Sequence, residues 1–174
     1  NRRLFNFALM LTWLHGAVLA DNSPIPKAVL VIVDGIPADV IERVPTPAID
    51  RIAAAGGYGR ATVGGPLGEP AETPTISAPG YMSLITGTWA NKHNVYGNYG
   101  ITPDYEYWNL FRLVRDQKPA LRLGIFSTWT DNRTILLGEG LAEAGNWRFD
   151  AVVDGLEGDG ARFPPKPLDA HIAD

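Results

Sequence analysis

Cysteine is absent from this 174-residue chain, so disulfide scaffolds, thiolate metal sites and cysteine nucleophiles are all excluded. Histidine is nearly absent too, with only His15, His93 and His171. Positive charge is not in excess: 15 basic against 19 acidic residues leave a net charge of −4, with a pI near 5.3. That balance argues against a binder of nucleic-acid polymers, which needs a basic face. A clean membrane-spanning run is missing as well. The most apolar stretch, residues 4–20, is interrupted by Asn6, Thr12 and His15, whereas a bilayer asks for about 20 consecutive apolar residues. What the chain does have is 45% hydrophobic residues, 20% charged residues, 19 glycines and 14 prolines. It can build a core, and many loops separate the regular elements.

Arg2 and Arg3, the apolar run to Ala20 and the polar break Asp21-Asn22-Ser23-Pro24 make the pattern of a secretory signal. Val18 and Ala20 stand at the small-residue positions before a cut. Residues 1–20 are therefore read as a signal peptide, with a membrane anchor as the alternative, and residues 21–174 as the folded part. The expected location is secreted or periplasmic, with a membrane contact only if the segment is left uncleaved. The chain opens without Met and stops at Asp174 as the amphipathic stretch PLDAHIAD begins, so the expectation is an N-terminal fragment.

KAVLVIVDG (27–35) is a continuous β-branched run, as expected of a parallel strand covered on both faces. Thr46 can N-cap a helix with Pro47 at its first position and Gly56 or Gly57 beyond its end. YGRATV (58–63) reads as a short strand and residues 79–86 as a helix ended by Gly87. Trp108, Phe111, Leu113 and Val114 form a helical stripe that stops before Pro119. LRLGIFSTW (121–129) and FDAVVDG (149–155) read as two further strands. Strands alternating with helices predict an α/β sandwich with a mainly parallel sheet. In such sheets ligands gather at the carboxyl ends of strands, where Asp34 and the region 127–131 lie.

Three elements carry chemistry. Asp34, closing its strand ahead of Gly35, is either a turn cap or a ligand aimed into a crevice. Ser77, at or near the N-cap of a helix and two residues before Pro79, is either a plain cap or a hydroxyl beside free N–H groups and the positive end of the helix dipole. No GxSxG elbow surrounds it, which disfavours a hydrolase triad. Asn98, after Gly97, is either a turn residue or an amide donor to a negative oxygen. His93 fits a loop-orienting role better than metal binding.

In this order, VIVDG (31–35), PTISAPGYMSLITG (74–87) and HNVYGN (93–98) resemble the type I phosphodiesterase/nucleotide pyrophosphatase family of the alkaline phosphatase superfamily, over residues 27–155. The resemblance implies a three-layer α/β sandwich with a mainly parallel central sheet, alkaline-phosphatase-like and here incomplete. It implies a metal-dependent phosphoesterase acting on small phosphate esters, of the phosphodiester or nucleotide pyrophosphate kind, through a covalent phosphoserine. It places Asp34 as a ligand of one of two divalent ions, expected to be Zn2+. Ser77 becomes the nucleophile touching that ion, and Asn98 the contact to the transferring phosphoryl group. The remaining ligands are expected beyond residue 174.

The chain also departs from the family pattern. Members commonly have threonine, an aromatic residue and then Pro-Asn, where this chain has Ser77-Ala78-Pro79-Gly80. Ala78 would remove a ring able to stack on a nucleobase. Sulfatases of the superfamily carry arginine where Tyr81 stands. Asp169 and His171 precede the region of the family's ligand motifs, and Asp131 and Asp154 read as loop and strand-end residues. Trp89, Trp108 and Trp147 read as packing residues, Trp129 as a substrate-pocket candidate, and 155–167 as a linker. Two alternatives stand beside the first reading: a phosphonate or sulfate ester hydrolase on the same scaffold, and a non-catalytic relative that binds an anion or a partner.

Overall fold

The helices form where the sequence punctuates them. In a computed structural model, residues 27–154 are described, and the chain divides between Val31 and Ile32 into two units. The signal or anchor segment, the 155–167 linker, Asp169 and His171 lie outside the described residues. Residues 27–31 have no regular structure, and Val29 is 83% exposed.

In the second unit, α1 (Ala38–Ile41) is a single turn and α2 spans Pro47–Ala55. Thr46 is the N-cap of α2, but its hydroxyl donates to Asp50 Oδ1 (2.9 Å) instead of accepting a backbone N–H. Helix α3, Ser77–Thr86, ends at Gly87, whose φ of 67° places it in the left-handed region that glycine adopts without strain. Helix α4 is the short segment Ala90–His93, and Thr73 Oγ1 accepts the Ala90 N–H at 2.9 Å. Helix α5, Leu110–Gln117, has a true side-chain cap, for Asn109 Oδ1 accepts the Arg112 N–H at 2.9 Å. Strands β1 (Gly124–Phe126) and β2 (Ala151–Val153) pair in parallel, Ile125 opposite Val152. The crossover between them contains one π-helical turn, Asn132–Leu136.

Helix α3 is the centre of the core. Ala78, Met82 and Ile85 pack with Val95, Leu136, Leu137, Trp147 and Phe149. Trp147 and Phe149 meet edge to face with centroids 4.9 Å apart, and Phe111 of α5 closes on Phe149 at 5.1 Å. Asp150 joins α5 to the sheet, since its Oδ2 accepts both the Leu123 N–H (2.7 Å) and Arg115 Nη2 (2.6 Å). Arg133 of the π-turn pairs with Glu139 and with Asp154 at the end of β2.

The architecture is α/β with a two-stranded parallel sheet and five α-helices among the described residues. The expected strands at 27–35 and 58–63 are not strands here. A strand exists through its ladder, and among the described residues no backbone-to-backbone hydrogen bond reaches 27–36. Arg60 and Tyr58 instead hold Glu42: the Tyr58 hydroxyl donates to Oε1 at 2.7 Å and Arg60 Nε to the same oxygen at 2.6 Å. The strands at 121–129 and 149–155 form, but shortened to their central three residues. Among the described residues no helix is long and apolar enough to cross a membrane.

Candidate functional site

Asp34 and Ser77 meet although 43 positions separate them. Ser77 Oγ donates to Asp34 Oδ2 at 2.6 Å. Tyr81, one helical turn after Ser77 on the same face of α3, donates its hydroxyl to the same oxygen at 2.8 Å. The other oxygen, Oδ1, accepts the Gly35 N–H at 2.8 Å. Three donors favour the ionised carboxyl, and Asp34 lies below the usual carboxylate range, chiefly because of Ser77 and then Tyr81. Burial and the neighbouring Asp34 push Tyr81 the other way, up to about 12.

Ser77 is the first residue of α3, and Ile76, with φ −131° and ψ 155°, is the N-cap. Ser77 thus stands next to the cap, as expected, and its hydroxyl turns to Asp34. The first turn also has fewer free N–H groups than expected. Ala78 N–H donates to Asn98 Oδ1 at 2.9 Å, Pro79 has none, and Gly80 N–H bonds back to the Ile76 carbonyl at 3.0 Å. Asn98 therefore takes the place that an anion would take at Ala78. Because its Oδ1 is the acceptor, its Nδ2 is the end left to donate, and that atom has no partner among the described residues.

His93 is fully buried. Its Nδ1 accepts the Val95 N–H (3.2 Å), so Nε2 carries the proton and faces Ser83 Oγ at 3.0 Å. Ser83 Oγ donates onward to the Pro79 carbonyl at 2.7 Å. The imidazole thus braces α3 against α4 and is no ligand; burial holds it down at about 4.

Asp154 is engaged by Arg133, and Trp129 packs half-buried against the core. Ala78 is 0% exposed, so its side chain faces the core and gives no information about a stacking nucleobase. Two shallow surface depressions, one at 101–106 and one at 62–67 with 72–75, include neither Asp34 nor Ser77. Tyr81 is the residue that sequence reasoning missed as a site residue. The signal was its i+4 spacing from Ser77, which puts two hydroxyls on one helix face.

A carboxylate beside a serine hydroxyl, both reachable from solvent, is a donor pair suited to a hard or borderline divalent ion. Among the described residues no group of three or more His, Asp or Glu comes together that could hold a metal. By their chemistry two such oxygen donors fit part of a ligand set and do not make up a whole one.

Comparison with curated proteins and with solved structures gives no match. The family model described as type I phosphodiesterase / nucleotide pyrophosphatase matches residues 28–155, a span that holds Asp34, Ser77, Tyr81 and Asn98 and covers most of the chain. The chain belongs to the type I phosphodiesterase / nucleotide pyrophosphatase family, a group of phosphate-ester hydrolases.

Proposed function

We propose that the protein is a metal-dependent phosphoesterase in which Ser77 is the nucleophile, Asp34 its orienting acid and metal ligand, and Asn98 the amide that meets the transferring phosphoryl group. The observation that carries the reading is the 2.6 Å bond from Ser77 Oγ to Asp34 Oδ2, beside an asparagine bound to the next residue's amide.

Asp34 alone is too weak a base for the task. Its carboxyl sits below the ordinary range, whereas an alcohol loses its proton only far above neutral pH, so the carboxylate can orient Oγ but not ionise it. Divalent ions, held in part by Asp34 and Ser77, would supply the charge that makes the hydroxyl acidic. The chain's own residues do the rest. Ser77 Oγ forms a bond to phosphorus as the ester P–O bond breaks, and the serine proton ends on the departing alcohol. Water then cleaves the Oγ–P bond and restores the hydroxyl. Asn98 Nδ2, fixed by the hold of Ala78 N–H on Oδ1, donates to a phosphoryl oxygen as charge builds there.

The substrate class is a small phosphate ester, of the phosphodiester or nucleotide pyrophosphate type by family. The architecture proposed around the observed two-strand sheet is the family's three-layer sandwich. The export pattern of residues 1–20 supports an extracytoplasmic location.

The test is hydrolysis of nitrophenyl phosphate, bis-nitrophenyl phosphate and nitrophenyl sulfate by the full-length protein with added zinc. Turnover of a phosphate ester is expected, and Ser77→Ala is expected to lower kcat on the order of 10⁶-fold, the scale of losing a covalent nucleophile. Wild-type rates in that variant remove Ser77 from the mechanism; turnover of the sulfate alone moves the protein to the sulfatase reading.

A further inference from the structure

Asp34 is held in place by very little. Residues 32–36 make no backbone-to-backbone hydrogen bond among the described residues, and Ile32, Val33 and Ile36 are all exposed. Apart from the amide of its own neighbour, the carboxylate has two anchors, the hydroxyls of Ser77 and Tyr81. They differ in kind. Ser77 is the reacting group of the proposed mechanism, and its hydroxyl stops donating once the proton is lost or phosphorus is attached. Tyr81 does not react. Its half-buried ring packs against the core cluster of α3, so its hydroxyl reports the position of the rigid helix to Oδ2 of the acid. One oxygen therefore accepts one donor that must be given up during turnover and one that stays.

On the reading of Asp34 and Ser77 given above, we infer that Tyr81 is the positioning residue of the site, whose hydroxyl holds the Asp34 carboxylate against the start of α3 so that acid and alcohol are presented together to a divalent cation. It acts through Asp34, to whose Oδ2 its hydroxyl donates. Hydrogen bonds of this kind to a ligating carboxylate orient it and restrict its motion, and their loss weakens metal affinity or activity by about 10- to 100-fold.

Tyr81→Phe removes the hydroxyl and keeps the packed ring, so fold and positioning can be separated. In the full-length protein, calorimetric titration of the metal-free variant with zinc alone is expected to give a Kd raised about 10-fold or more. Cobalt titration is expected to show a changed d–d absorption band. The melting temperature without metal should move by no more than about 2 °C, as for substitutions that disturb no core packing. Tyr81→Leu, which also empties the ring's space, should lower that melting temperature as well. Zinc affinity and cobalt spectrum unchanged in Tyr81→Phe overturn the inference, even if Ser77→Ala is inactive. Full hydrolysis by Ser77→Ala instead defeats the functional reading on its own assay, while the zinc titration still decides the role of Tyr81.

Discussion

Acid should loosen this fold through one imidazole before Asp34 responds. His93 is fully buried, its Nδ1 is spent accepting the Val95 N–H, and its Nε2 faces Ser83 Oγ. A proton added at Nδ1 would break the first bond and bury a charge with no acid beside it. Burial accordingly lowers the group from 6.5 to about 4 in the folded chain. Between those values the unfolded chain binds the extra proton and the folded one does not. Stability is therefore fully present above pH 6.5 and falls as the pH drops toward 4. Linkage gives a loss of about 2 kcal/mol at pH 5 and about 3 kcal/mol below pH 4. The carboxylate of Asp34 is also lowered, but its contribution is lost only below its ordinary value of 3.8, beneath the histidine window. Urea unfolding at pH 7.5, 6.0 and 5.0 should show the decline, and it should flatten in His93→Gln, which cannot take up the proton. The slope is the readout, because the substitution also changes the baseline. A His93 ring resonance titrating near 6.5, or equal slopes for wild type and variant, refutes the reasoning.

Two further outcomes follow from the same geometry. Asn98→Asp keeps an acceptor for the Ala78 N–H but replaces the amide donor with a negative oxygen; kcat for a phosphate ester should fall about 10²- to 10³-fold with the melting temperature nearly unchanged, and undiminished turnover would remove Asn98 from the site. Arg133→Met leaves Glu139 and Asp154, with side chains 5% and 12% exposed, without their cation; thermal unfolding should report a loss of about 3 kcal/mol, and a loss under about 1 kcal/mol would class the cluster with ordinary surface pairs.

The helices and the site could be read from the sequence to different depths. Pro47, Gly56 and Gly87 mark helix ends because backbone geometry is local, and α2 and α3 begin and end beside them. The parallel strands at 124–126 and 151–153 follow from apolar runs, though their length depends on pairing that a single segment does not encode. Residues 27–35 show the limit most clearly: a β-branched run states a preference, and a ladder needs a neighbour. At the site, the resemblance drew attention to Asp34, Ser77 and Asn98, and the structure brings Asp34 to Ser77 and Asn98 to the amide of Ala78. Their roles rest on the tests above. The bond from Tyr81 to Asp34 spans 47 positions, and helical spacing alone could not name its acceptor.

The long separation between acid and alcohol also orders events in time. Helix α3 and the short turn after it close over few residues, whereas capturing Asp34 means closing a loop of 43 positions, at an entropic cost that grows with loop length. The hydroxyl-bearing helix should thus be assembled first and receive its acid last. On gentle heating the order reverses, and catalytic competence should fade while most of the helical signal is still intact.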